Sequence, residues 1–205
     1  MTRLVAILLF LLSFLPPAIA GEGGLRGVAL VIGQSKYQHL SPLPNPESDA
    51  RAIEDLLEKL GFDVTGSTDR DAKKLRRDLD RFAEDAEGAD AAIIYYSGHG
   101  IEAGGENWLV PVDADLGALE DVEKNLVPLS GILGELRAKV PLTIFLIDAC
   151  RSNPFPAGTV ARKQGEKVEM SGSGLGTPRG FAAVEQGATD TIGTIIGFAA
   201  EPGLP

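Results

Sequence analysis

Cysteine is almost missing from this 205-residue sequence, with Cys150 the sole example. One cysteine cannot form an internal disulfide, so no crosslink holds this fold. A lone thiol in an oxidising compartment is a liability unless it is buried or used, and burial as a small hydrophobe is the commoner fate. Histidine is nearly as scarce, with only His39 and His99. Positive charge is outnumbered: 19 Lys+Arg face 29 Asp+Glu, giving a net charge of −10 and a pI near 4.7. That balance argues against nucleic acid or an anionic membrane surface and for basic partners; its plainer meaning is solubility. The glycines at 23–24 and 172–176 lack the Lys-Ser/Thr and strand–helix setting of a phosphate loop. Disorder is excluded over most of the length by 44% hydrophobic and 23% charged residues. The length suits one domain with a sizeable core.

Long apolar runs are also few. Leu4–Leu15 follows Arg3, is broken by Pro16 and Pro17, and leads to the A-x-A pattern Ala18-Ile19-Ala20. This is the grammar of a signal peptide at residues 1–20, cleaved after Ala20, with export to a periplasm or the extracellular space. An uncleaved anchor is the alternative, since the run is short for a bilayer. No other stretch is apolar and long enough to cross, so no stable span is expected after cleavage.

The rest alternates between strand-like and helix-like segments. Gly27–Gly33 (GVALVIG) is a continuous apolar run, as a buried strand requires. Asn45 reads as an N-cap with Pro46 at the first helical position. Ala50, Ile53, Leu56, Leu57 and Leu60 then share a helical face that Gly61 ends. Phe62–Thr65 is a short strand. Leu75, Leu79, Phe82 and Ala86 mark a second helix, stopped at Gly88. Ala91–Tyr96 is a buried strand leading into Ser97-Gly98-His99-Gly100. Residues 101–127 show little period and read mostly as loop, with a small strand near Trp108. Ser130 caps a third helix bearing Ile132, Leu133 and Leu136. Thr143–Ile147 is a further strand, ending at Asp148-Ala149-Cys150. Residues 151–190, rich in Gly, Pro and charge, read as a long mobile loop. Thr191–Ala199 is a last apolar strand. The alternation implies an α/β fold with a mostly parallel sheet.

In such sheets functional groups gather at the carboxyl ends of strands. His99 lies three residues past one expected strand and Cys150 three past another. A thiolate can attack a carbonyl while an imidazole manages the protons, provided the fold joins them. The glycines flanking His99 fit a tight turn that lets a substrate approach the backbone. A hydrogen-bonded structural histidine is the competing reading. His39 follows Tyr37 in a loop and reads as a surface residue.

YYSGHG at Tyr95–Gly100 and DACRSNPF at Asp148–Phe155 resemble the two signature blocks of the cysteine peptidase family that holds caspases, paracaspases and metacaspases. The histidine of caspases lies about 50 residues before the cysteine; here the separation is 150 − 99 = 51. VALVIGQSKYQHLSPLPNPESDARAI at Val28–Ile53, GENWLVPVDA at Gly105–Ala114 and GFAAEPG at Gly197–Gly203 are similar to bacterial metacaspase-like (orthocaspase) proteins. The resemblance runs over about residues 25–203. It implies a caspase-like three-layer sandwich, with a mostly parallel sheet between helices. It also implies His99 as general acid/base, Cys150 as nucleophile, and the backbone N–H groups of Gly100 and Cys150 as oxyanion hole.

Metacaspases cut after Arg or Lys, which acidic residues read. Asp49 and Asp148 match those acidic positions, and Ser97 matches a neighbouring pocket residue. Two carboxylates can grip a guanidinium bidentately. A helix N-terminal charge and a solvated strand-end residue are the plainer roles for Asp49 and Asp148. The implied partners are therefore peptides or proteins with basic residues. No cofactor or metal is required. Calcium is a conceivable activator, with Asp113–Glu123 as oxygen donors but no EF-hand spacing. Further sheet and pocket elements follow the last strand in the family, so the 25–203 domain is expected to lack its C-terminal portion. Family members are often cut in the region of 151–190, where Arg151, Arg162, Lys163, Lys167 and Arg179 lie. The alternatives are a non-catalytic caspase-like interaction module and a legumain- or gingipain-like thiol hydrolase.

Overall fold

The computed structural model describes residues 24–150, 153–156, 158–170 and 193–198. The expected signal peptide at 1–20, Arg151, Arg179 and most of GFAAEPG lie outside them.

Strand β1 (Gly27–Gly33) is an interior strand of the sheet, and Val28–Ile32 are buried without a break. Its side chains alternate between faces, as a pleated strand demands. Val28, Leu30 and Ile32 point to the same side as Leu75, Leu79 and Phe82 of helix α2 (Ala72–Asp85). Ala29 and Val31 meet Ala50 and Leu57 of helix α1 (Pro46–Lys59) on the other side. Each buried aliphatic side chain contributes about 1.5–3 kcal/mol of transfer free energy.

Strand β2 (Asp63–Thr68) pairs with β1, and β3 (Ala91–Ala103) lies on β1's other edge. The chain therefore steps one way through α1 and the opposite way through α2. Right-handed crossovers then place those helices on opposite faces. Helix α4 (Leu129–Lys139) joins α2, and β6 (Leu142–Cys150) and β9 (Gly193–Phe198) extend the sheet. The order β2-β1-β3-β6-β9 is parallel throughout. The three-layer α/β architecture is the one expected.

The 101–127 segment differs from the expected loop. β3 runs on to Ala103 and pairs antiparallel with β4 (Glu106–Leu109), which pairs with β5 (Val127–Pro128). A 3-10 turn (Leu116–Glu120) and helix α3 (Val122–Asn125) complete a second core around Ile101, Trp108, Val110, Leu119 and Leu126. Elements this short carry no readable period.

Part of 151–190 also departs from a loop. β7 (Ala161–Lys163) and β8 (Glu166–Val168) form a hairpin whose turn residues, Gln164 and Gly165, have φ of 52° and 82°. That pair fits a type I′ turn, whose usual Asn-Gly or Asp-Gly signal is absent here. Arg162 and Lys163 are held against the second core by Glu120 (3.1 Å) and Glu123 (3.6 Å), so neither sits in a loop.

Two expected caps are replaced. Asn45 precedes α1, but its side chain caps nothing. The Glu47 N–H donates instead to Ser35 Oγ at 3.0 Å. Ser130 lies inside the first turn of α4, where its N–H and hydroxyl donate to the Glu106 carboxylate. The α1 stripe is only partly covered, since Leu56 and Leu60 remain 50% and 64% exposed.

The start of α1 crosses β1 closely at Gly33. A Cβ there would stand 2.6 Å from the Pro46 carbonyl oxygen and 2.9 Å from the Ala50 Cβ. Gly33→Ala is expected to cost about 1–3 kcal/mol, the usual range for overpacking. Urea unfolding checks this, and an unchanged midpoint would mean that the helix shifts freely.

Candidate active site

The carboxyl ends of β3 and β6 finish side by side. Ser97 is in register with Asp148, and His99 with Cys150. Adjacent strands lie about 4.8 Å apart, so each pair is closely juxtaposed. Tyr95, Ser97 and His99 alternate onto the α1 face of β3, while Tyr96 joins the opposite core.

His99 lies within the strand and not in a turn beyond it. Its glycine neighbour answers a packing need. A Cβ on Gly98 would stand 2.8 Å from Tyr96 Oη and 2.9 Å from Tyr37 Oη. Those hydroxyls grip the His99 peptide from both ends. The His99 N–H donates to Tyr37 Oη at 2.7 Å, and Tyr96 Oη donates to the His99 carbonyl at 2.7 Å.

The imidazole is buried, and its Nε2 is 2.8 Å from the Ser41 carbonyl oxygen. A carbonyl only accepts, so Nε2 carries the proton and Nδ1 keeps the lone pair. Nδ1 is buried with no hydrogen-bond partner among the described residues. Burial pulls the imidazole pKa below its ordinary value, and the Ser41 carbonyl only partly offsets this. The group is thus a neutral base whose lone pair meets no donor among the described residues, beside the backbone of Cys150.

The loop from Gln34 to Asn45 supplies both Tyr37 and Ser41. Asp69 anchors it, accepting from the N–H groups of Ser35 (2.8 Å) and Lys36 (2.9 Å). Burial pushes the Asp69 pKa up, but these N–H groups and the Lys36 ammonium outweigh it and hold the carboxyl below its usual range.

Gly100 pairs with Leu109. Val110 N–H donates to the His99 carbonyl at 3.1 Å, which makes Gly100–Leu109 the non-hydrogen-bonded pair of that ladder. The Gly100 N–H therefore points away from β4, toward β6.

A second cluster forms around the Tyr95 hydroxyl, which donates to Asp148 Oδ2 at 3.3 Å. Its pKa is pushed up to about 12, first by burial, then by the Asp148 charge, with Asp49 adding and Ser97 opposing. Asp49, Ser97 and Asp148 thus converge on one phenol. Neither carboxylate has an ion-pair partner among the described residues, whereas neighbouring Glu47 is taken by Lys36 and Arg51. His39 is exposed on the loop, as expected.

Asp113–Glu123 does not gather into a calcium site. Asp113 accepts from the Ala72 N–H, Asp115 and Asp121 cap their helices, and Glu120 and Glu123 are ion-paired. Among the described residues no group of three or more metal-binding side chains occurs.

Sequence reasoning missed Ser41, Tyr95, Tyr96 and the contact of Tyr37. The alternation of Tyr95 and Tyr96 was legible once the strand was carried through His99. A carbonyl such as that of Ser41 has no sequence signal.

The family model of the caspase domain, Peptidase C14, matches residues 26–203. The human mucosa-associated lymphoid tissue lymphoma translocation protein 1 is 32% identical over 125 residues, 60% of this chain and 15% of that protein. Mouse caspase-1 is 32% identical over 79 residues, 38% of this chain and 20% of that protein. The match therefore spans only about a fifth or less of either relative's length. Protein GSU0716 from Geobacter sulfurreducens aligns with a TM-score of 0.47 and 20% identity over 61% of this chain and 50% of that one.

The imidazole couples stability to pH. Its pKa is lower folded than unfolded, so its contribution is fully present above the ordinary value of 6.5 and drains away as pH falls toward the folded value. The urea midpoint should fall on acidification from about pH 7 to about pH 5, and fall less in His99→Gln. Identical losses in both proteins would show that the imidazole does not titrate as a buried group.

Proposed function

The chain belongs to the caspase-domain family, Peptidase C14, and on that premise we propose that it is an exported cysteine endopeptidase that cuts after Arg or Lys. The observation that carries this reading is the His99–Cys150 register with a buried Nδ1 that has no partner among the described residues.

In this reading Nδ1 of His99 takes the Cys150 thiol proton as the sulfur attacks the scissile carbonyl. The carbon–nitrogen bond breaks, the proton passes to the departing amine, and a thioester remains on Cys150. Water, deprotonated by the same imidazole, hydrolyses the thioester and restores the thiol. The Ser41 carbonyl keeps the proton on Nε2 and takes part of the imidazolium charge when it forms. The N–H groups of Gly100 and Cys150 are the donors for the developing oxyanion. Such a donor is worth about 100- to 1000-fold in rate.

Asp49 and Asp148 form the pocket for the basic side chain, with Ser97 beside them. Tyr95 supports the assignment because it orients Asp148 while remaining a neutral donor. A guanidinium with five donors suits two half-buried carboxylates and two hydroxyls.

A non-catalytic interaction module is the second reading. Leu146 and Ile195, 37% and 55% exposed on the sheet, favour a partner there. The preserved dyad favours the peptidase, since a pure binding module needs neither His99 nor Cys150.

A panel of fluorogenic peptides should turn over with Arg or Lys, and not Asp, before the cleaved bond. Cys150→Ala should abolish turnover and any fragmentation of the chain itself. Asp148→Asn should lower kcat/KM for Arg peptides by about tenfold or more. Turnover after Asp would reject the pocket, and unchanged turnover in Cys150→Ala would reject the nucleophile. For export, mass spectrometry of the protein outside the cytoplasm should find Gly21 as the N-terminus; retention of residues 1–20 in a membrane fraction would favour the anchor.

A further inference from the structure

We propose that Tyr37 is a positioning residue for His99, its hydroxyl fixing the histidine backbone and its ring sealing one face of the imidazole. This rests on the peptidase reading given above, which assigns His99 its role as base.

Two contacts of different kinds join these residues. The His99 N–H donates to Tyr37 Oη at 2.7 Å. The two rings meet with centroids 4.4 Å apart at an interplanar angle of 47°. Hydrogen bonding sets where the His99 Cα sits; ring contact sets what surrounds the imidazole. Neither job substitutes for the other.

Tyr37 is itself well held. It is 7% exposed, and its hydroxyl donates to the Val110 carbonyl at 3.3 Å. The next residue, Gln38, donates its N–H to the Val112 carbonyl at 2.8 Å. Gly98 leaves the space that this hydroxyl occupies, since a Cβ there would lie 2.9 Å from it. Four residues on, Ser41 offers the carbonyl that takes the Nε2 proton. One loop therefore fixes the imidazole from its face and from its far nitrogen. Nδ1 is left as the one ring nitrogen that a thiol proton could reach.

The ring also keeps water from the imidazole, and burial is the leading cause of the lowered His99 pKa. The titratable groups beside it are the phenol of Tyr37 and, by register, Cys150, while the Tyr96 phenol on the opposite face reaches only the His99 carbonyl. No charged side chain contributes to that shift.

Two substitutions separate the functions. Tyr37→Phe keeps the ring and removes the acceptor of the His99 N–H. Its kcat should fall by about tenfold with KM unchanged, because small displacements of a base cost rate before they cost binding. Tyr37→Leu removes both. Its kcat should fall further, and the acid limb of kcat/KM should move up toward the ordinary imidazole value.

The decisive readout needs no turnover. In a Cys150→Ala background the ring protons of His99 can be titrated by NMR. His99 should titrate below the ordinary imidazole value of 6.5, unchanged in Tyr37→Phe and moved toward that value in Tyr37→Leu. An unmoved His99 titration in Tyr37→Leu overturns the sealing role. A wild-type kcat in Tyr37→Phe overturns the positioning role, and decides alone if Tyr37→Leu does not fold. If the wild-type chain shows no turnover while the titrations move as expected, the peptidase reading fails and the packing of Tyr37 on His99 stands.

Discussion

The pairing of β3 with β6 is the contact on which the candidate site depends. Parallel strands in register finish at the same height, so residues at equal count along the two strands stay level. Ala91 is level with Leu142, and the same count carries forward to Ser97 with Asp148 and His99 with Cys150. A slip of one residue would turn every side chain of one strand to the wrong face. The cores prevent that slip. Ile94 and Tyr96 on β3 and Phe145 and Ile147 on β6 are buried together beneath α2 and α4. Hydrophobic burial far from the chemistry thus sets the relative height of the histidine and the cysteine.

That register fixes the backbone but not the rotation of the imidazole, which is the work of the loop after β1. Its hold is built from ordinary polar contacts of about 1 kcal/mol each. Asp69 binds the start of the loop, and Ser35 binds the first turn of α1. The same loop aims the Tyr37 side chain and the Ser41 carbonyl at His99. Because α1 begins where the loop ends, Asp49 in its first turn is brought to the same end of the sheet. The close crossing of Gly33 and Pro46 keeps that helix start near β3. One loop therefore serves both the candidate base and the candidate pocket.

The sequence made the parallel strands legible because their apolar runs are continuous. It also made α2 legible, whose 3.6-residue stripe is entirely buried. It failed where structure depends on partners distant in the chain. Asn45 has the right identity for a cap, yet the capping oxygen comes from Ser35, which no local pattern shows. Ser130 looked like a cap and is capped by Glu106 from β4. His99 looked like a turn residue because two glycines flank it; Gly98 is there to admit two tyrosine hydroxyls. The pair His99 and Cys150 could be picked out because each followed a readable strand. Ser41 could not, since what it offers is a backbone carbonyl and any residue has one.

The acidity of the chain can be weighed residue by residue. Much of it has structural work. Asp71, Asp115 and Asp121 cap helices, and Asp78, Glu120 and Glu123 are ion-paired. These carboxylates say nothing about substrate. Asp49 and Asp148 differ because they are half-buried, neither caps a helix, and neither has a cationic partner among the described residues. Tyr95 donates to Asp148, and the Asp49 charge adds to the rise in the Tyr95 pKa, so both carboxylates lie near one phenol. In the proposed reading, a cation arriving with the ligand would pair with both. The proposed preference for a basic side chain therefore rests on this unpaired pair and not on the net charge of the chain, which most of its surface could explain.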